Sequence, residues 1–267
     1  MRRVVEGLVT LAMLLLGVSA GAWSISDSPP QGQGTPSQAA AQPTPPQPAP
    51  HVYHLTAMRA VPGRASELLK LLTAPPSAGQ AASDFAVVFR HREGHEWDFL
   101  LIEHMGASAT VSVGPAPQAD SPFSQVAAWH GDTYAAGPPL DEFRRALNLT
   151  AAPAAGQSPS RAIYAISDYM TAPGHRTQLR QQLDQIASQT PGRSVTLTHV
   201  EGAPWTFVAI TRYDSWRQFA DEQDAVDAET AKNTSSKGPG LLLREHMAMH
   251  HDTLANVAAV LTPGAPR

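Results

Sequence analysis

The stretch His91-Arg92-Glu93-Gly94-His95-Glu96-Trp97-Asp98-Phe99 returns later in the chain as His199-Val200-Glu201-Gly202-Ala203-Pro204-Trp205-Thr206-Phe207. The histidine, the Glu-Gly pair, the tryptophan and the phenylalanine all recur at one offset, 108 residues. Upstream, Val52-Tyr53-His54-Leu55 runs on to Pro62-Gly63-Arg64, Leu68 and Leu72. Ile163-Tyr164-Ala165-Ile166 runs on to Pro173-Gly174-His175, Leu179 and Leu183 at an offset of 111. Downstream, Ala128-Trp129-His130-Gly131-Asp132-Thr133 matches Ala248-Met249-His250-His251-Asp252-Thr253 at an offset of 120. Three colinear matches with small shifts mark two copies of one unit of about 110 residues.

Each copy carries the same pattern of elements. The β-branched and aromatic runs 52–59 and 162–170 predict strands. Pro-Gly then opens a helix; in the second copy Leu179, Leu183 and Ile186 fall at i, i+4 and i+7. The runs 86–92 with 97–103, and 194–200 with 205–211, predict strand pairs joined at Glu-Gly. Asp214-Ser215 predicts the cap of a helix bearing Trp216 and Phe219. The corresponding stretch 106–122, with Gly106, Gly114, Pro115 and Pro117, reads as loop. Fourth strands are expected at 124–131 and 242–251. The order is β-α-β-β-α-β, so the fold class is α+β: two tandem ferredoxin-like repeats, 51–150 and 161–267, joined by a linker at 151–160.

Two motifs carry a family resemblance. Pro62-Gly63-Arg64-Ala65-Ser66-Glu67-Leu68-Leu69, and Tyr213-Asp214-Ser215-Trp216-Arg217-Gln218-Phe219 after a third strand, resemble the dimeric α/β-barrel superfamily. That superfamily includes antibiotic-biosynthesis-type monooxygenases, EthD-like and NIPSNAP-like proteins and the chlorite dismutases. The resemblance, over residues 51–260, implies a fused, pseudo-dimeric barrel in which the two antiparallel sheets bury their apolar faces against each other. It also implies a cofactor-free monooxygenase-like activity or, alternatively, a haem-using oxidoreductase with His199 as the candidate ligand.

Outside the repeat, Arg2 and Arg3 precede the apolar run Leu8–Gly17 and the small-residue site Ala20-Gly21-Ala22, the layout of a signal peptide over 1–22. The run is shorter than the roughly 20 residues a spanning helix needs. Export to the periplasm or medium is therefore expected, with an uncleaved N-terminal anchor as the alternative. Gly17-Val18-Ser19-Ala20-Gly21 matches a nucleophile-elbow pattern by letter alone, since no strand precedes it. Residues 23–50 hold Pro29, Pro30, Pro36, Pro43, Pro45, Pro46, Pro48 and Pro50 among Gln, Gly and Ala, and predict a disordered tether. Much of the excess among the 24 prolines sits there. With no cysteine in the 267 residues, disulfides, thiolate ligands and lipidation are excluded. A net charge of −4 without a basic block argues against nucleic acid as a partner.

Candidate site residues come from positions retained in both copies. His91 and His199 each stand six residues before a tryptophan, and His130 and His250 each begin His-x-Asp-Thr. An imidazole beside a carboxylate suits acid–base work or metal binding. The alternative reading is that Asp132-Thr133 and Asp252-Thr253 end their strands, with Asp252 or Thr253 capping a helix over 254–261. Tyr53, Trp97, Tyr164 and Trp205 are expected to line a cavity for a small, partly apolar ligand, or else to fill the core. His246 and His250 have helical metal spacing. On the predicted strand they would stand about 13 Å apart, too far to share one ion, although a His from each half could still converge on one site. No metal site is expected, and no cofactor apart from the haem alternative. The leading expectation is a small-molecule-binding protein, a monomeric pseudo-dimer or a higher oligomer, without membrane contact once the signal is removed. A non-catalytic interaction module is the third reading.

Overall fold

A computed structural model describes residues 49–74, 83–107, 121–149, 161–232 and 239–262. The expected signal peptide, most of the tether, most of the expected loop 106–122 and the expected linker 151–160 lie outside the described residues. Among the described residues no helix is long and apolar enough to cross a membrane.

The elements follow in order: β1 (His51–Ala60), α1 (Ala65–Leu72), β2 (Ala86–Glu93), β3 (Phe99–Ala107), α2 (Pro122–Val126), β4 (Ala127–Gly137) and α3 (Leu140–Ala146). Then come β5 (Ile163–Thr171), α4 (Arg176–Gln189), β6 (Ser194–Glu201), β7 (Phe207–Tyr213), α5 (Trp216–Lys232), α6 (Pro239–Arg244) and β8 (Met247–Leu261). All eight strands pair antiparallel and close on themselves in the order β1-β3-β2-β8-β5-β7-β6-β4. Strands β1–β4 run β4-β1-β3-β2 and strands β5–β8 run β8-β5-β7-β6, so both sets read fourth, first, third, second. The seams are β2 with β8 and β4 with β6.

Apolar side chains are buried on both faces of this sheet. The inner face carries Tyr53, Leu55, Phe89, Leu100, Tyr164, Ile166, Leu197 and Val208 in one cluster. On the outer face α1 packs Leu68 on Met58, Val88 and Phe99. Leu179, Leu183 and Ile186 of α4 and Leu243 of α6 pack on Tyr169 and Phe207. Double coverage explains why Ala86–Phe89 and Phe207–Thr211 are buried continuously instead of at alternate positions. Ser215 caps α5 by accepting from the Gln218 amide at 3.1 Å.

The fourth strands differ from the expectation. They lie at 127–137 and 247–261, and 242–244 belongs to α6. Residues 254–261 are strand, not a helix capped by Asp252 or Thr253: Leu254 and Ala255 pair with Ala165 and Tyr164 of β5, and Ala255–Leu261 pairs with His91–Ala86 of β2. Thr133 and Thr253 instead grip the opposite hairpin loop. Thr133 Oγ1 donates to the Glu201 carbonyl at 2.9 Å, and the His95 amide donates to Thr253 Oγ1 at 3.4 Å. Gly94 (φ +109°) and Gly202 (φ +115°) pass so close to the Asp252 and Asp132 carbonyls that neither position has room for a Cβ. Crossing strand and loop meet there through their backbones.

Candidate functional site

Near these two hairpin loops the inside of the sheet is open. A cavity of about 350 Å³ is walled by Trp97 and Trp205 from the loops, Trp129 from β4, and Leu55, Leu100, Ile166 and Val208 from the strands. Its apolar lining suits a small molecule with aromatic or aliphatic surface.

One wall is polar. Asp168 on β5 lies directly across from His251 on β8, and His95 of the β2–β3 loop approaches both. One ligand atom from each of the three lies within 4.8 Å of the other two. The His95 and His251 rings meet edge to face at 5.0 Å between centroids. Burial, and then the neighbouring Asp252 carboxylate, push the Asp168 pKa up to about 7. Burial, then the nearby His251, lower that of His95. The donors are those that hold a divalent transition metal: two imidazole nitrogens and a carboxylate.

The residues singled out from the sequence are distributed unevenly around this cavity. Trp97 and Trp205 line it. Tyr53 and Tyr164 do not: they are buried in the inner core, and their hydroxyls donate to the carbonyls of Pro138 (2.8 Å) and Leu147 (2.9 Å). A phenol satisfied by a backbone carbonyl gains nothing from facing a cavity, and the core filling weighed for these tyrosines is what occurs. His91 and His199 do not line the cavity either. Each sits edge to face with the tryptophan six residues on, at 5.6 and 5.3 Å, with Nε2 buried and without a hydrogen-bond partner among the described residues. Burial lowers the pKa of both. Since His199 stands apart from the cavity, the residues present do not fit a haem held there by His199.

His130 and His250 each face the carboxylate two residues on, Asp132 at 3.4 Å and Asp252 at 3.3 Å. Those carboxylates accept from Thr56 Oγ1 (2.8 Å) and Ser167 Oγ (2.7 Å) of the adjoining strand. The bond to Asp252 raises the His250 pKa. His246 follows α6 in a turn, and its Nδ1 lies 3.0 Å from His175 Nδ1.

His95, Asp168 and His251 are absent from the sequence-derived candidates. The sequence-derived candidates stand where the two copies agree, and at these three positions the copies disagree. Asp168 answers to Ala57, His251 to Gly131 and His95 to Ala203, at the offsets of 111, 120 and 108. The strand registers agree: Asp168 pairs with His251 as Ala57 pairs with Gly131.

No protein-family model and no curated protein matches the chain. Solved structures do. An anthrone oxidase-like protein superposes with a TM-score of 0.54 at 14% identity, over 80% of this chain and 94% of its own. A candidate monooxygenase from Fusobacterium nucleatum superposes at 0.49 and 8% identity, over 81% and 96%. A candidate chlorite dismutase superposes at 0.42 and 10% identity, over 79% and 95%. At these identities the likeness is one of fold alone: an α+β chain on a large antiparallel eight-stranded sheet.

Proposed function

We propose that this chain is a pair of tandem ferredoxin-like units forming one pseudo-dimeric barrel, and that the barrel binds a small, partly apolar molecule. The observation that carries the ligand reading is the cavity of about 350 Å³, in which Trp97, Trp129 and Trp205 converge on aliphatic side chains. Aromatic walls stack on flat ring systems, each contact contributing on the order of 1 kcal/mol. The signal-like residues 1–22 support export of the protein.

Anthrone is a fitting first probe, since a neighbour of the same fold carries it in its name. Titration of anthrone and 1-naphthol, followed by tryptophan fluorescence, is expected to saturate at one molecule per chain. Trp129→Ala, which replaces a side chain already 44% exposed and so spares the fold, is expected to weaken binding about 3- to 10-fold. Fluorescence that drifts without saturating for both compounds would sink the reading.

A second reading, oxidation of the bound molecule by dioxygen without a cofactor, is favoured by Asp168. A carboxyl with a pKa of about 7 on the cavity wall is a base at neutral pH, able to take a proton from an acidic C–H or O–H. Oxygen uptake that Asp168→Asn abolishes, with probe binding intact, is the expected result under that reading.

A further inference from the structure

We infer that His95, Asp168 and His251 form a binding site for one divalent transition-metal ion at the polar wall of the cavity. The inference is independent of whether the cavity also takes an apolar molecule. It starts from geometry: three ligand atoms of the right types lie within 4.8 Å of one another, contributed by β5, β8 and the β2–β3 loop. Ligands held about 2.0–2.2 Å from a zinc-like ion stand roughly 3–4 Å apart, so small side-chain rotations close the set.

Charge supplies a second argument. Asp168 puts a carboxyl on the wall of the cavity, directly across from His251. Among the described residues no hydrogen bond or ion pair joins it to a cation. A divalent ion would give this half-buried carboxylate a counter-charge. One ligand atom of each imidazole lies within 4.8 Å of the carboxyl, and His95 Nδ1 accepts from the Glu96 backbone N–H at 2.9 Å.

The third argument comes from the equivalent half. There Ala57, Gly131 and Ala203 occupy the matching positions, so all three donors are missing together. The surrounding residues keep their character: Leu55 and Ile166, Thr56 and Ser167, Asp132 and Asp252, Thr133 and Thr253, Trp97 and Trp205. All three donors thus fall on one side only. The small residues opposite leave space in front of the donors. Three protein ligands leave at least one coordination position open toward the cavity, the pattern of a site that binds or activates a further molecule.

The test uses the full chain, stripped by chelator and titrated with zinc against a chromophoric competitor, and with cobalt read by its visible spectrum. One ion per chain is expected. Asp168→Asn and His251→Gln should each weaken zinc binding by more than about 100-fold, beyond the loss typical of residues that only orient ligands. His175→Gln, which disrupts the pair His175 and His246, should leave it unchanged. Zinc is expected to raise the melting temperature of the parent and to leave that of Asp168→Asn unchanged. Absence of stoichiometric zinc, its retention in both ligand variants, or its loss in His175→Gln would each overturn the site. Probe binding by tryptophan fluorescence, measured in the same variants, tells a failed metal site from a failed cavity.

Discussion

At the scale of single residues, the two glycines of the hairpin loops show how little latitude the strand crossings allow. Gly94 and Gly202 combine a left-handed backbone with direct approach to a carbonyl of the facing strand. A methyl group meets both penalties, about 1–2 kcal/mol for the backbone and more for the collision with backbone atoms that cannot turn aside. Gly94→Ala and Gly202→Ala are each expected to lower stability in urea unfolding by about 2–4 kcal/mol. Gly63→Ala is the control, since Gly63 (φ +83°) faces open space, and it is expected to cost only about 1 kcal/mol. Equal losses at the three positions would mean that backbone conformation alone matters. The Glu-Gly pair was legible as a turn from its letters; its closeness to Asp252 and Asp132 was not, since those residues lie 158 and 70 positions away along the chain.

At the scale of elements, β1, β3 and β4 are tied on their outer face by a charged cluster that the sequence does not announce. His54 on β1 reaches Glu103 on β3 (3.3 Å) and Asp132 on β4 (3.1 Å) and stacks on Tyr134 at 4.6 Å. Burial works against its charge, but the bonds to Asp132 and Glu103 outweigh it and raise the pKa to about 9. The same contact lowers the Asp132 pKa. A folded pKa raised above the unfolded value, about 6.5, gives stability that is complete below pH 6.5 and is lost as pH rises through about 9. Asp132 is 42% exposed, so solvent reduces the contribution to about 1–2 kcal/mol. His54→Gln is therefore expected to cost that much at pH 6 and little at pH 10; a cost that stays flat from pH 6 to 10 would refute the charged cluster. The helical stripe of α4 was readable because a period of 3.6 needs only local sequence. The extent of β8 was not, because Leu254–Leu261 offers a mostly apolar run whose state is decided by pairing with β2 and β5.

For the whole molecule, the closed order of strands makes each half depend on the other. The inner faces that carry Leu55, Phe89 and Leu100 on one side and Ile166, Leu197 and Val208 on the other form a single cluster. A half alone would expose that apolar face to water. Co-expressed as separate chains divided near residue 155, the halves are expected to purify together in equal amounts. Expressed alone, each is expected to aggregate or to self-associate through its inner face. Recovery of either half as a soluble, cooperatively melting monomer would contradict a shared core.

The repeated stretches, the order of elements, the missing cysteine and the signal-like leader are properties of the sequence by itself, because they rest on local pattern and composition. Tertiary structure decided which repeated residues face the cavity. Trp97 and Trp205 line it, while Tyr53 and Tyr164, equally repeated and equally aromatic, spend their hydroxyls on backbone carbonyls in the core. It also decided that His95, Asp168 and His251 meet. They stand on a loop and two strands spread over more than 150 residues, and each looks unremarkable in its own stretch. Strand alternation and period are carried by neighbours in the chain. A site made by convergence exists only once pairing between β5 and β8 has fixed the register.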